Sequence, residues 1–142
     1  MNGAADSVAE KTVDAVMTTD PVTLQLNDTL RLADDMMNLI HVRHFPVLDG
    51  EKLVGVIDQD DLLHASMASL VRHPKDKVRA ALGTVAVKDF MKAATSVGRE
   101  TSIHDAASLM VDRGIECLLV MDGNKLVGVV TRSDLLRELA KR

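Results

Sequence analysis

Apolar positions recur with helical spacing at Leu30, Ala33, Met37 and Ile40, and again at Ile103, Ala106 and Met110. Steps of three and four residues place each set on one face of a helix. Asn27 or Asp28 is positioned to cap the first helix, and Gly114 to end the second. A short apolar run follows each, at residues 45–48 and 118–121. Asp-Gly comes next, then a second apolar run at 53–57 and 126–130, and Asp-Gly between two strand-like runs predicts a hairpin. The chain then turns from strand to helix, with Asp58 or Thr131 where a helix cap belongs. Leu62, Leu63 and Met67, and Leu135, Leu136 and Leu139, supply the apolar face of that last helix.

The two series are copies of one unit. Residues 30–63 laid on 103–136 without gaps match at Ala33/Ala106, Met37/Met110, Val47/Val120 and Asp49/Asp122, and along the run from Lys52 to Val56 on Lys125 to Val129. Asp61-Leu62-Leu63 repeats as Asp134-Leu135-Leu136. One gap extends the match back to Val13/Val87 and Met17/Met91. Two copies are too few for a solenoid and suit a pseudo-twofold pair. The predicted fold class is α/β: two pseudo-twofold-related repeats, each strand-helix-strand-strand-helix, packed as one module. Residues 1–12 form a helical lead-in opened by a capping box at Ser7, Val8, Ala9 and Glu10. The repeats occupy 13–68 and 85–142, and a helical linker at 69–84 breaks near His73-Pro74.

Composition narrows the function. There is no Trp or Tyr and only two Phe, so the core is aliphatic, with Met filling gaps. The net charge of −4 and scattered basic residues argue against a nucleic-acid face. No apolar run approaches the ~18 residues of a membrane span, and no signal-like core stands at the start. The single Cys117 excludes an internal disulfide, reads as a small core residue, and suits a reducing cytoplasm. No Ser/His/Asp set, phosphate-loop glycine motif or metal-ligand cluster is legible, so no catalytic or metal residues are expected. His41 and His44 have helical spacing but lack the companions a metal site needs.

The order of these signals resembles the CBS domain, named after cystathionine beta-synthase, and the pair resembles a Bateman module. The carriers are Met17, Pro21, Val22 and Thr23, the Phe45-Pro46-Val47-Leu48-Asp49 strand, and Gly128, Thr131 and Asp134 in the phrase Gly-Val-Val-Thr-Arg-Ser-Asp. The resemblance covers nearly the whole chain. It implies a regulatory protein without chemistry of its own. Its ligand would be adenosine-containing (AMP, ADP, ATP or S-adenosylmethionine). The module would form a homodimer and would modulate an unidentified partner protein.

The resemblance assigns ribose and phosphate contacts to Thr131 and Asp134, and the chemistry of the residues suits that. A strand running into a helix aims free N–H groups at an anion. Gly128 allows close approach to the backbone, Thr131 and Ser133 offer hydroxyls, and Asp134 can accept from two ribose hydroxyls. Val42 would wall the adenine together with the helix end at residues 13–17. Arg43 and His44 stand where the family often carries basic residues facing phosphates. Glu116 and Cys117 hold that place in the second copy. Asp58 and Asp61 mark a second, weaker site, because Asp58, Asp60 and Asp61 crowd one helix start and repel an incoming phosphate. Helix capping alone also accounts for Thr131, Asp134 and Asp58. A ligand-free dimerisation module of the same fold is the alternative.

Overall fold

The computed structural model describes residues 11–141. Strand β1 (Thr18–Thr19) precedes the first repeat, which runs β2 (Leu24–Gln25), α1 (Leu30–Ile40), β3 (His44–Asp49), β4 (Lys52–Asp58) and α2 (Gln59–Arg72). Helix α3 (Val78–Leu82) follows in the linker. The second repeat runs β5 (Ser96–Gly98), α4 (Ile103–Arg113), β6 (Cys117–Asp122), β7 (Lys125–Thr131) and α5 (Arg132–Ala140). The predicted element order therefore holds in both copies, and the fold is α/β.

Each repeat is organised around its hairpin. β3 and β4 pair antiparallel from His44↔Asp58 to Asp49↔Lys52, and β2 joins β3 in parallel. β6 and β7 pair in the same way from Cys117↔Thr131 to Asp122↔Lys125, with β5 parallel to β6. Both hairpins slip register at the matching place, after Val47 and after Val120. Gly50 and Gly123 open the two-residue loops at φ +63° and +61°, a conformation glycine takes without steric cost. Strand alternation then sends Phe45, Val47 and Ile57 onto Leu30, Ala33 and Met37 of α1, with Leu62 of α2 closing the core. The second core repeats this with Leu118, Val120 and Val130 against Ile103, Ala106, Met110 and Leu135. Each fully buried aliphatic side chain contributes about 1.5–3 kcal/mol.

The chain divides into two compact units, and the division does not fall between the repeats. One unit is Val22–Ala94. The other joins residues 11–21 to residues 95–141. In the first unit, Val87 enters the core and its amide donates to the Asp28 carbonyl at 2.7 Å. In the second, Val13 enters the core and its amide donates to the Thr101 carbonyl at 2.8 Å. β1 pairs antiparallel with β7 at Thr18↔Val129, and Lys92 makes the corresponding bridge to Val56. The segment leading into each repeat thus completes the unit built on the other repeat.

Several local expectations change. Thr29 caps α1 in place of Asn27 or Asp28: its backbone is extended and its Oγ1 accepts the Leu32 amide at 3.1 Å. Asp28 is already committed, accepting the Gln25 amide at 2.7 Å. The stretch expected as a helix end at 13–17 is a 3₁₀ turn at Val13–Ala15 followed by β1. Gly114 does end α4, at φ +63°, and His41 takes the matching place after α1 at φ +55°. The linker breaks at His73-Pro74 as expected, then turns through Lys75–Lys77 into α3. Arg79 fastens α3 to α1 by two hydrogen bonds to the Asp35 carboxylate, at 2.9 and 3.0 Å. That guanidinium holds the Asp35 carboxyl below the usual range. The capping box at Ser7–Glu10 lies outside the described residues. Among the described residues, no helix is long and apolar enough to cross a membrane.

Candidate functional site: two strand-to-helix corners

The repeated phrase forms a corner in each unit, where β7 meets α5 and where β4 meets α2. Thr131 is the N-cap of α5, and Asp134 stands at the third helical position. Asp134 Oδ2 accepts the Thr131 amide at 2.8 Å and the Thr131 hydroxyl at 3.1 Å. Its Oδ1 accepts from Arg137 Nη2 at 2.5 Å. Both carboxylate oxygens therefore have donors. The Asp134 side chain is about 10% exposed, so it lies at the floor of the corner, and Ser133 is exposed beside it. Capping is realised at this helix start.

The other corner carries an extra charge and an extra partner. Asp58 Oδ1 accepts the Asp61 amide at 3.0 Å, and Asp61 Oδ2 accepts the Asp58 amide at 2.8 Å, a reciprocal capping box. Lys92 Nζ reaches both acids, at 2.6 Å from Asp58 Oδ2 and 3.0 Å from Asp61 Oδ1. Burial works against ionisation of Asp58, but the Lys92 ammonium and the Asp61 amide outweigh it and hold that carboxyl below its usual range. At Asp61 burial prevails, reinforced by the neighbouring Asp58 carboxylate, and its carboxyl is pushed up. Burial lowers Lys92 less than the two carboxylates raise it. The carboxylates crowd this helix start, and Lys92, which pairs with both capping acids, offsets part of their charge, while Asp60 is exposed to solvent. Sequence reading missed Lys92. Its signal was present, because the repeat alignment sets Lys92 against Thr18 just as it sets Asp58 against Thr131.

The remaining candidate residues divide between the units. Val42, Arg43 and His44 belong with Asp58 and Asp61. His44 pairs with Asp58 across the hairpin, and the Arg43 carbonyl accepts the Gln59 amide at 3.2 Å. At the other corner, Cys117 pairs with Thr131 and the Glu116 carbonyl accepts the Arg132 amide at 2.9 Å. Glu116 also pairs with the Arg132 guanidinium at 2.9 Å, so the acidic position expected there is charge-balanced. Gly128 and Gly55 are both buried, and the room their missing side chains leave is filled by the chain itself. A Cβ on Gly128 would meet Met17 Sδ and, at 3.0 Å, the Thr18 carbonyl oxygen. One on Gly55 would meet Met91 Sδ at 2.6 Å and the Lys92 carbonyl oxygen at 2.8 Å. The close approach expected of a ligand at Gly128 is made by Met17. No cluster of three or more His, Cys, Asp or Glu side chains that could hold a metal occurs among the described residues.

Comparison with known proteins identifies the family. The CBS domain family matches residues 13–68 and 87–141, and the chain belongs to that family. CBS-pair proteins are generally regulatory modules. The chain is 29% identical over 127 residues to the A-adding tRNA nucleotidyltransferase of Geobacter sulfurreducens, covering 89% of this chain and 13% of that enzyme. The match thus spans a small part of that relative. The crystal structure of the Vibrio cholerae AcuB protein superposes with a TM-score of 0.75 at 30% identity, covering 92% of this chain and 90% of that one. The structure of CBSX2 in complex with AMP superposes with a TM-score of 0.73 at 27% identity, covering 91% and 96%.

Proposed function

We propose that this chain is a regulatory module that senses an adenosine-containing ligand, AMP, ADP, ATP or S-adenosylmethionine, and passes its state to a partner protein. The observation that carries the reading is the Thr131–Asp134 corner. It pairs a helix start with a hydroxyl and a carboxylate, in a family with a member described in complex with AMP. The stronger site is organised by Thr131, Ser133 and Asp134. Asp134 Oδ1 turns from Arg137 to a ribose hydroxyl when ligand enters, and Arg137 is free to meet phosphate. Asp58 and Asp61 mark the weaker site. Even with Lys92, two capping carboxylates share one cation there, whereas Asp134 has Arg137 to itself. Val42, Arg43 and His44 supply an apolar contact and basic side chains to nucleotide binding. The chain performs no catalysis and works in the cytoplasm.

The helices support a homodimer. Leu62 and Leu135 are buried in the cores at 5% exposure, while their neighbours Leu63 and Leu136 are 56% and 58% exposed. Met67, Leu70 and Val71 extend the exposed apolar face of α2, and Leu139 that of α5. Contiguous apolar surface of this kind marks interfaces.

Calorimetric titration of AMP, ADP, ATP and S-adenosylmethionine tests the reading. At least one ligand should bind, and Asp134→Ala should weaken it by about 1.5–3 kcal/mol. Asp61→Ala should have little effect. A silent screen leaves the ligand-free dimerisation module, and light scattering then reads whether the dimer exists.

A further inference from the structure

The first unit contains a cavity of about 540 Å³ lined by no residue of either strand-to-helix corner. It is open to solvent on one side and bounded by the second half of α2, the start of α1, and the end of α3 with the chain that follows. Its volume is within the roughly 300–1,000 Å³ of small-molecule sites. Leu30, Leu82, Val85 and Phe90 give it an apolar floor.

Ser69, Arg72 and His73 break that apolar lining, as does Thr84, whose hydroxyl donates to the Ala81 carbonyl at 2.7 Å. Ser69 lines the cavity, and its Oγ is wholly buried without a hydrogen-bond partner, alone among the side chains of the described residues. A buried hydroxyl left unpaired in an otherwise satisfied structure costs stability, so its retention calls for a partner. Arg72, one turn of helix from Ser69, lies at the exposed edge of the cavity with His73. Among the described residues Arg72 enters no ion pair. No acidic residue lines the cavity.

We infer that this cavity binds an amphipathic organic anion. Its apolar body lies on Val85 and Phe90 over the more deeply buried Leu30 and Leu82, its anionic group meets Arg72 and His73 at the rim, and Ser69 Oγ, shut off from solvent before binding, opens to an oxygen of the ligand. A permanently charged, planar guanidinium suits a carboxylate or sulfonate by paired hydrogen bonds.

The test uses decanoate, with decyltrimethylammonium as the same body carrying the opposite charge, followed by the methyl NMR signals of Leu30, Leu82 and Val85 in the full chain. Decanoate should shift these methyls saturably, and decyltrimethylammonium should not. Arg72→Gln should weaken decanoate binding by about tenfold or more, the worth of one charged hydrogen bond. Ser69→Leu should fill the cavity and abolish binding. Thr84→Leu fills the same space from the linker side and serves in its place should Ser69→Leu fail to fold. Equal binding of the cationic probe overturns the inference, as does unchanged binding in the filled variant. Methyl shifts that follow protein concentration and ignore decanoate would overturn it too, giving the cavity to a second copy of the chain.

Discussion

Lys92 Nζ lies 2.6 Å from Asp58 Oδ2, an ion pair that joins the segment leading into the second repeat to the helix start of the first. The other corner has neither charge: Thr131 stands for Asp58, and Thr18 stands for Lys92 in the aligned repeat. The two differences compensate each other. The repeated phrase is free to carry Asp58 because Lys92 arrives with it, and the second copy needs no counterpart of Lys92 because its cap is neutral and Asp134 already pairs with Arg137. Removing one member should therefore hurt more than removing both. Lys92→Met leaves two buried-side carboxylates sharing no cation, and should destabilise the fold by about 1 kcal/mol, the value discounted because the lysine is half exposed. Lys92→Met with Asp58→Thr should recover most of that loss. A double-mutant cycle by urea denaturation measures the coupling; strictly additive losses would contradict the pairing.

The same triad sets a dependence on pH. Lys92 is raised in the fold by Asp58 and Asp61, so its contribution is complete below the unfolded lysine value of about 10.4 and is lost as pH rises through the folded value. Asp58 is lowered, so its contribution is present above about 3.9 and is lost as pH falls through its folded value. Asp61 is raised and opposes Asp58 in acid, which blunts the acid limb. The alkaline limb is the cleaner measurement. Melting temperatures from pH 8 to 11 should fall less steeply for Lys92→Met than for the unaltered chain, and parallel curves would exclude the lysine as the source.

His41 offers a stabilising change. It ends α1 at φ +55°, the place that Gly114 fills after α4 at φ +63°. A side chain in the left-handed region costs roughly 1–2 kcal/mol, and glycine avoids that cost while losing more entropy on folding. His41→Gly should therefore stabilise by about 0.5–1 kcal/mol and raise the melting temperature by about 2–4 °C. Gly114→His should shift it by a similar amount in the other direction.

Much of this architecture is written locally. The hairpins at Asp49-Gly50 and Asp122-Gly123, the helical faces of α1 and α4, and the capping positions Asp58 and Thr131 each depend on residues within one or two turns of chain. What the sequence did not display is which partner a short segment chooses. Val13 and Val87 align as equivalents and both look like core residues, yet each is buried against the other repeat's helices. Periodicity carries no information about that exchange, because it reads only neighbouring turns and the contacts join distant segments. Lys92 is also distant from its partner, 34 residues from Asp58, and only its alignment against Thr18 in the repeat signals it. The cap on α1 was missed by one residue, since Asp28 and Thr29 are both good caps and only the competing Gln25 amide decides between them. The cavity beside Ser69 had no signal in the sequence, because it arises where α2 and the linker fail to fill space.

Gly55 and Gly128 test the exchange directly. Each occupies the hairpin strand under the methionine and carbonyl of a segment from the other repeat's leading end. Neither glycine has positive φ, so backbone strain plays no part and the constraint is space alone. At Gly55 an added methyl meets the Lys92 carbonyl oxygen at 2.8 Å, and that oxygen is fixed because it accepts the Val56 amide at 3.0 Å. At Gly128 the carbonyl of Thr18 stands at 3.0 Å, on a segment held by β1–β7 pairing. Overpacking of this kind costs about 1–3 kcal/mol. Gly55→Ala should fall at the upper end, because its obstructing carbonyl oxygen is closer. It should also loosen the Lys92 contact to Asp58, since both depend on the same segment. Gly128→Ala should be milder, and Met17→Ala should relieve part of it by removing the sulfur that crowds the site. Met91→Ala should relieve Gly55→Ala less, because the Lys92 carbonyl remains. Urea denaturation of the two singles and their methionine pairs decides the matter: if Met17→Ala rescues neither variant, or if it rescues Gly55→Ala, the assignment of each leading segment to its unit is wrong.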